Sequence, residues 1–158
     1  MNHNIRSGKF LDIFRSMIIV YIIFFSVSTY AMGDYFWCNT SKGKLILKIN
    51  MYGLVYNMVN SNGKGLYFSS PGPSYKDYLY NHYSRFQTDY INVSFERNGY
   101  KYIVFSNYED GISIRGVTVL NLSTKKEFTY PCEDEGIDKL SDLSMKLKCD
   151  KNSALGCQ

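Results

Sequence analysis

Residues 87–108, QTDYINVSFERNGYKYIVFSNY, decide the fold, because they predict one long β-hairpin. In the first arm apolar Ile91, Val93 and Phe95 alternate with polar Asn92, Ser94 and Glu96, which is the period of a half-buried strand. Asn98-Gly99 follows, and both residues tolerate the positive φ angles of a type I′ turn. The second arm is β-branched and aromatic, as strands prefer. The rest of the chain is expected to cover one face of this hairpin.

Short apolar segments separated by turn signals continue on both sides of the hairpin. The predicted strands are Asp34–Thr40, Leu45–Ile49, Leu54–Val59, Gly65–Ser69, Ile112–Val119 and Lys126–Tyr130. With the hairpin they give seven or eight antiparallel strands, so the predicted class is mainly β, as a small barrel or a curled sandwich. Gly116 lies inside one strand and indicates a bulge or a close backbone approach.

The segment after the last strand has a different pattern. Ile137, Leu140, Leu143 and Leu147 follow one another at helical spacing, and the acidic run Glu133-Asp134-Glu135 precedes them. Acids favour a helix N-terminus, and Lys146 and Lys148 favour its other end. We therefore predict one amphipathic helix over about 137–147 that packs on the sheet.

The N-terminus has the composition of a secretory signal. Arg6, Lys9 and Arg15 precede the unbroken apolar run Met17–Phe25, and small residues follow up to Ala31. The prediction is a signal peptide over residues 1–31 and a single β-rich domain over 32–158. An uncleaved anchor is the alternative, and it would be the chain's one contact with a membrane, although the run is shorter than the roughly 20 residues that span a bilayer.

All four cysteines follow the signal segment, and an even number in an exported chain indicates two disulfides. Of three possible pairings we favour Cys38 with Cys132, which joins the first and last strands, and Cys149 with Cys157, which staples the tail over 149–157. The spacings match no common zinc pattern, and His82 is the one histidine after residue 31. No metal or other cofactor is therefore expected.

Most enzyme classes lack their signature residues here. There is no Gly-x-Ser-x-Gly turn, phosphate loop or dinucleotide fingerprint. The acidic groups Glu109-Asp110 and Glu133-Asp134-Glu135 are more typical of solvated turns and caps than of a glycosidase pair. The net charge of +4 includes no basic stripe, so nucleic acid is not an expected partner. We predict that the protein is not an enzyme.

The stretch from Tyr75 to Phe86 has no clean period and is predicted to be a loop or a short helical turn. It is rich in tyrosine and holds both a histidine and an arginine, residue types that protein interfaces use. The predicted protein-binding residues are Tyr75, Tyr78, Tyr80, His82, Tyr83 and Arg85. The alternative is that half of the six aromatic residues Tyr75, Tyr78, Tyr80, Tyr83, Phe86 and Tyr90 cap the barrel end as part of the core. Tyrosines also stack on sugars, but the one tryptophan, Trp37, is expected in the core beside Cys38.

Three pieces of the chain resemble small exported bacterial β-proteins that bind and block other proteins. They are Phe36–Thr40 with Gly43-Lys44, the hairpin segment Ser94–Tyr102, and Gly116–Val119 with Tyr130-Pro131-Cys132. The likeness is to periplasmic immunity proteins and, more distantly, to inhibitors of C-type lysozyme. It implies a disulfide-linked β-fold and a protein partner, but it transfers no inhibitory residue to this chain.

The sequence therefore predicts a secreted or periplasmic, non-enzymatic inhibitor or immunity protein. Its partner would be another protein, a toxin or a secreted hydrolase, bound through the tyrosine-rich segment. The alternative is a secreted carbohydrate-binding protein or a hydrolase that uses His82 or an acidic pair.

Overall fold

A computed structural model of the chain describes residues 33–71 and 75–157, and these residues fold mainly as β-structure. The predicted signal peptide, residues 1–31, lies outside the described residues. The described part of the chain belongs to one compact unit, Ala31–Gln158.

The described residues contain eleven strands in chain order. They are β1 (Gly33–Thr40), β2 (Gly43–Asn50), β3 (Gly53–Val59), β4 (Gly65–Pro71), β5 (Tyr78–Arg85), β6 (Thr88–Arg97), β7 (Tyr100–Glu109), β8 (Ile112–Asn121), β9 (Glu127–Pro131), β10 (Ile137–Asp138) and β11 (Lys148–Cys149).

Two sheets form from these strands. The first sheet has the order β10-β1-β2-β3-β4, and the second has the order β11-β5-β6-β7-β8-β9. Every pairing is antiparallel except that of β11 with β5. The mainly β class is confirmed, and the described strands form two sheets and not a closed barrel. The predicted seven or eight strands were too few because β5, β10 and β11 were not expected.

The central hairpin is confirmed as β6 and β7. Arg97 pairs with Tyr100 across a turn in which Asn98 and Gly99 have φ angles of 52° and 78°. The next turn is tight, since β7 continues through Glu109 and leaves only Asp110-Gly111 between the strands.

An aromatic core joins the two sheets, and Phe95 of β6 lies at its centre. Its ring stacks on Phe68 of β4, with centroids 4.4 Å apart, and on Tyr102 of β7, with centroids 5.0 Å apart. Tyr56 of β3 and Tyr78 of β5 make tilted contacts with the same ring. Side chains of both sheets therefore share one core cluster.

The predicted C-terminal α-helix is wrong. Ile137 instead pairs with Trp37 in the first sheet, and only Leu140–Leu143 form a short 3-10 helix. The Asp138 carboxylate accepts a hydrogen bond from the backbone N–H of Leu140, a local contact that competes with helix formation. The spacing of the apolar residues nevertheless indicated burial correctly, because Leu140, Leu143 and Leu147 are in the core cluster.

Both favoured disulfides are present. Cys38–Cys132 joins β1 to the residue after β9 and so links the two sheets across 94 residues of sequence. Closing a loop of that length stabilises by about 4 kcal/mol on the chain-entropy model. Cys149–Cys157 closes the tail. Two disulfides indicate an oxidising compartment. Within the described ranges no helix has the length and apolarity to cross a membrane.

Gly116 marks a close backbone approach, one of its two predicted roles. A Cβ atom at this position would lie 2.3 Å from the Tyr130 carbonyl oxygen of β9. We expect Gly116→Ala to destabilise the fold by about 1–3 kcal/mol, because β9 must move to admit the methyl group. Urea unfolding measures the loss. Gly33→Ala is the matched control, since nothing lies within 4 Å of its Cβ position. Equal stability of the two variants would contradict the assignment.

Candidate binding groove

Most of the tyrosine-rich segment, Tyr78–Arg85, is strand β5 and not a loop. Tyr78 is fully buried, Tyr75 and Tyr80 are nearly so, and all three belong to the core cluster. Half of the six aromatic residues, Tyr75, Tyr78 and Tyr80, are therefore in the core, as the alternative predicted. The strand was missed because aromatic and polar residues occupy both of its faces, which removes the usual alternation.

The other three predicted binding residues lie near the end of β5, on opposite faces. His82 is opposite the core residue Ile91, and its Nε2 atom lies 2.5 Å from Asp89 Oδ1. Tyr83 and Arg85 have the opposite parity and lie on the outer face of the second sheet. The Tyr83 ring centroid is 6.2 Å from that of Tyr90, and the Arg85 guanidinium carbon is 5.8 Å from the Tyr83 ring.

A groove of about 730 Å³ lies on this outer face, across β6, β7, β8 and β9. We call it the outer groove. Its apolar lining is Ile103, Phe105, Ile112 and Ile114. Its polar lining includes Tyr90, Asn92, Asn107, Glu109, Asp110 and Glu127, with Thr118 and Thr129 completing it. Gly116 pairs with Phe105 and places no side chain between Ile114 and Thr118.

The outer groove is acidic. Three carboxylates, those of Glu109, Asp110 and Glu127, are among its lining residues, and none of the described lining residues is basic. The Glu109 carboxylate accepts a hydrogen bond from the Tyr90 hydroxyl and so raises the pKa of Tyr90 above its ordinary value. The Asn107 Oδ1 atom is buried without a hydrogen-bond partner among the described residues. A complementary ligand would bring a donor to Asn107 and positive charge to the carboxylates.

One end of the outer groove has exposed apolar side chains. Ile112 and Ile114 on β8 are 64% and 53% exposed. Phe86, in the turn between β5 and β6, is 87% exposed. That turn adjoins the turn between β7 and β8, because the Asp110 backbone N–H donates to the Gln87 carbonyl at 2.9 Å. Two exposed isoleucines and an exposed phenylalanine therefore lie on neighbouring strands and turns at this end of the outer groove.

The C-terminal tail packs against another part of the same sheet. Asn81 on β5 donates from its side-chain amide to the carbonyls of Asp150 and Gly156, each at 3.1 Å. Lys101 Nζ lies 2.8 Å from Asp150 Oδ2, and the Asp150 side chain is almost fully buried. Burial by itself raises the pKa of Asp150, but hydrogen bonds from Lys101 and the Asn152 backbone outweigh it, so the pKa is lowered.

The second acidic group, Glu133-Asp134-Glu135, has a structural contact and does not line the outer groove. Asp134 accepts hydrogen bonds from the Asn39 backbone N–H at 2.8 Å and from the Asn39 side-chain amide at 2.6 Å. Trp37 also differs from expectation, since it pairs with Ile46 on the outer side of the first sheet and lies outside the core cluster. The Lys44 ammonium is 4.7 Å from the Trp37 ring centroid.

Neither protein-family models nor curated proteins nor solved structures gave a match to this chain. The likeness to immunity proteins and lysozyme inhibitors therefore stays a prediction, and the outer groove is interpreted from its own residues.

Lys101→Met is expected to lower the free energy of unfolding by about 1–3 kcal/mol at neutral pH, because Asp150 stays buried without its cation. The Lys101→Met/Asp150→Asn double variant is the control and should lose less, since no charge is then buried alone. Urea unfolding over a range of pH measures both losses.

The same pair predicts a pH dependence. Because the pKa of Asp150 is lowered in the folded state, its stabilisation is complete above the ordinary aspartate range and is lost as the pH falls through the lowered pKa. The stability difference between the wild type and Lys101→Met should therefore shrink in acid. A difference that does not change with pH would contradict this role.

Proposed function

We propose that the protein is a secreted or periplasmic, non-enzymatic binding protein of the inhibitor or immunity kind. Its partner is another protein, a toxin or a secreted hydrolase, and the outer groove is the surface that binds it. The observation that carries the proposal is the group of exposed apolar side chains on a rigid sheet face beside three carboxylates.

The exposed side chains fit the anatomy of a protein interface. Ile112, Ile114 and Phe86 can each lose apolar surface to a partner, and about 25 cal/mol is gained for each Å² of apolar surface removed from water. Tyr83 contacts the groove residue Tyr90, Arg85 lies over the Tyr83 ring, and both belong to the residue types that dominate interface energetics. Two of the six residues predicted from sequence therefore belong to the proposed surface.

The architecture supports binding over catalysis. The outer groove lies on four hydrogen-bonded strands, so little conformational entropy is lost when a partner binds. His82 is on the other face of β5 and is not among the groove-lining residues, so a histidine and the groove carboxylates do not share a site in the described chain. The two disulfides favour an exported protein, and the resemblance favours a toxin or hydrolase as target.

The charge of the outer groove supports a partner with a basic surface. Glu109, Asp110 and Glu127 would attract and orient such a partner during the encounter. This term depends on salt, because interactions between exposed charges are screened over about 10 Å at 0.1 M ionic strength.

The test uses the mature protein immobilised as bait in extracts of the cell envelope and in culture supernatant. Captured proteins are identified by mass spectrometry, and the dissociation constant is measured for the purified pair. We expect Ile112→Ser/Ile114→Ser to weaken binding by at least about tenfold, which corresponds to about 1.4 kcal/mol. The activity of a captured toxin or hydrolase should fall on addition of the wild type.

Met145→Ser is the matched control for this experiment. Met145 is 94% exposed and is not among the residues that line the outer groove, so its loss should leave the affinity unchanged. Equal binding by the wild type and the double isoleucine variant would overturn the proposal, as would an equal loss in Met145→Ser.

Carbohydrate binding is a second candidate function, and the polar lining of the outer groove favours it. Asn92 and Asn107 offer amides, the carboxylates accept hydroxyl protons, and Tyr90 offers a ring. If this alternative holds, the wild type binds an oligosaccharide on a glycan array, and Asn107→Leu should abolish that binding. A hydrolase would instead lose activity in Glu109→Gln or His82→Ala, and the binding proposal expects no activity to lose.

A further inference from the structure

A second concavity lies between the two sheets and is separate from the outer groove. Its volume is about 330 Å³. The first sheet contributes Tyr56, Met58 and Leu66 to its lining, and the second sheet contributes Tyr102, Val119 and Tyr130. We call it the inter-sheet cleft.

The inter-sheet cleft reaches the aromatic core. The rings of Tyr56 and Tyr102 are 5.8 Å apart, and Tyr56 also contacts Phe95 at the centre of the core. The Tyr56 hydroxyl lies 3.2 Å from Met58 Sδ, a weak acceptor, and burial raises the pKa of Tyr56. The wall is therefore mainly apolar and aromatic, and its polar side chains apart from the lysines are those of three tyrosines and Asn60.

The charges of the inter-sheet cleft have one sign. Lys42 and Lys64 line it, both side chains are exposed, and no carboxylate is among its described lining residues. Neither ammonium forms an ion pair within the described ranges. Lys42 Nζ lies 5.8 Å from the Tyr130 ring centroid, so one cation is already placed beside the apolar wall.

We propose that the inter-sheet cleft binds a small hydrophobic anion, namely a monocarboxylate with a short apolar chain. The chain would lie against Met58, Leu66 and Val119, and the carboxylate would lie between Lys42 and Lys64. A volume near the lower end of known ligand pockets suits a small ligand. At about 30 Å³ for each water-sized group, it holds on the order of ten non-hydrogen atoms, which is the size of octanoate.

This proposal does not depend on the proposed function, because the inter-sheet cleft and the outer groove have no lining residue in common. Its failure would leave the protein-binding proposal untouched, and the reverse also holds.

The proposal that the inter-sheet cleft binds a hydrophobic anion is tested by isothermal titration calorimetry of the folded protein with octanoate. The uncharged probe 1-octanol serves as the comparison. We expect saturable 1:1 binding of octanoate and at least tenfold weaker binding of octanol. Lys42→Glu/Lys64→Glu should weaken octanoate binding at least tenfold. Lys139→Glu/Lys146→Glu makes the same change in net charge at exposed lysines outside the cleft lining, and it should bind as the wild type does.

A cleft-filling variant locates the site independently of charge. Leu66→Trp should block octanoate while circular dichroism and the melting temperature show that the protein is folded. If this variant is unfolded, Val119→Phe replaces it in the same assay. The absence of saturable binding would overturn the proposal, and so would octanoate binding that is unchanged in the lysine pair or in the folded cleft-filling variant.

Discussion

The stacking of Phe95 between Phe68 and Tyr102 is the interaction on which the rest of this structure depends. Phe68 belongs to the first sheet and Tyr102 to the second, so the stack of three rings holds the sheets face to face. Aromatic pairs of this kind add about 0.5–1.5 kcal/mol each beyond the area that they bury. Cys38–Cys132 links the same two sheets covalently. The aromatic stack and the disulfide together keep one face of each sheet buried in the core.

Because the inner face of the second sheet is buried in the core, only the residues of its outer face can line a surface groove. In β6 the core takes Ile91, Val93 and Phe95, so Tyr90 and Asn92 lie outside and line the outer groove. A shift of one residue in the strand register would exchange these two sets, and the aromatic stack prevents it. The outer groove is therefore a consequence of the core: its residues are outside because their neighbours in sequence are buried.

The sequence was sufficient for those features that depend on local patterns. The alternation around Phe95 and the Asn98-Gly99 turn predicted the central hairpin, and the even cysteine count led to the pairing that the structure has. The C-terminal helix was wrong because Ile137 pairs with Trp37 in the first sheet, and no local pattern contains a partner about a hundred residues away. The position of Trp37 outside the core was missed for a related reason, since strand parity and not residue type decides which face a side chain takes.

The candidate site was only partly predictable, for the same physical reason. The density of tyrosine predicted a binding surface in residues 75–86, but burial removes Tyr75, Tyr78 and Tyr80 from any surface. Ile112, Ile114 and Glu127 were missed because each is ordinary in its own segment. They come together in one site only when β8 pairs with β7 and β9 pairs with β8 in the folded sheet. The alternation of apolar and polar residues in β6 is the sequence signal that indicates which residues lie on the outer face.

The carboxylates of this protein fall into two groups. Some stabilise the fold through contacts within the chain, and others lie on the proposed binding surface. Asp134 accepts hydrogen bonds from Asn39, and Asp150 pairs with Lys101, so each stabilises a junction of the fold. Glu109, Asp110 and Glu127 form no ion pair within the described ranges and lie beside exposed isoleucines. Like charges near one another and exposed apolar groups both disfavour the free folded protein or its solubility. A basic partner with apolar side chains would relieve both costs at once, which is the physical argument for binding at this face.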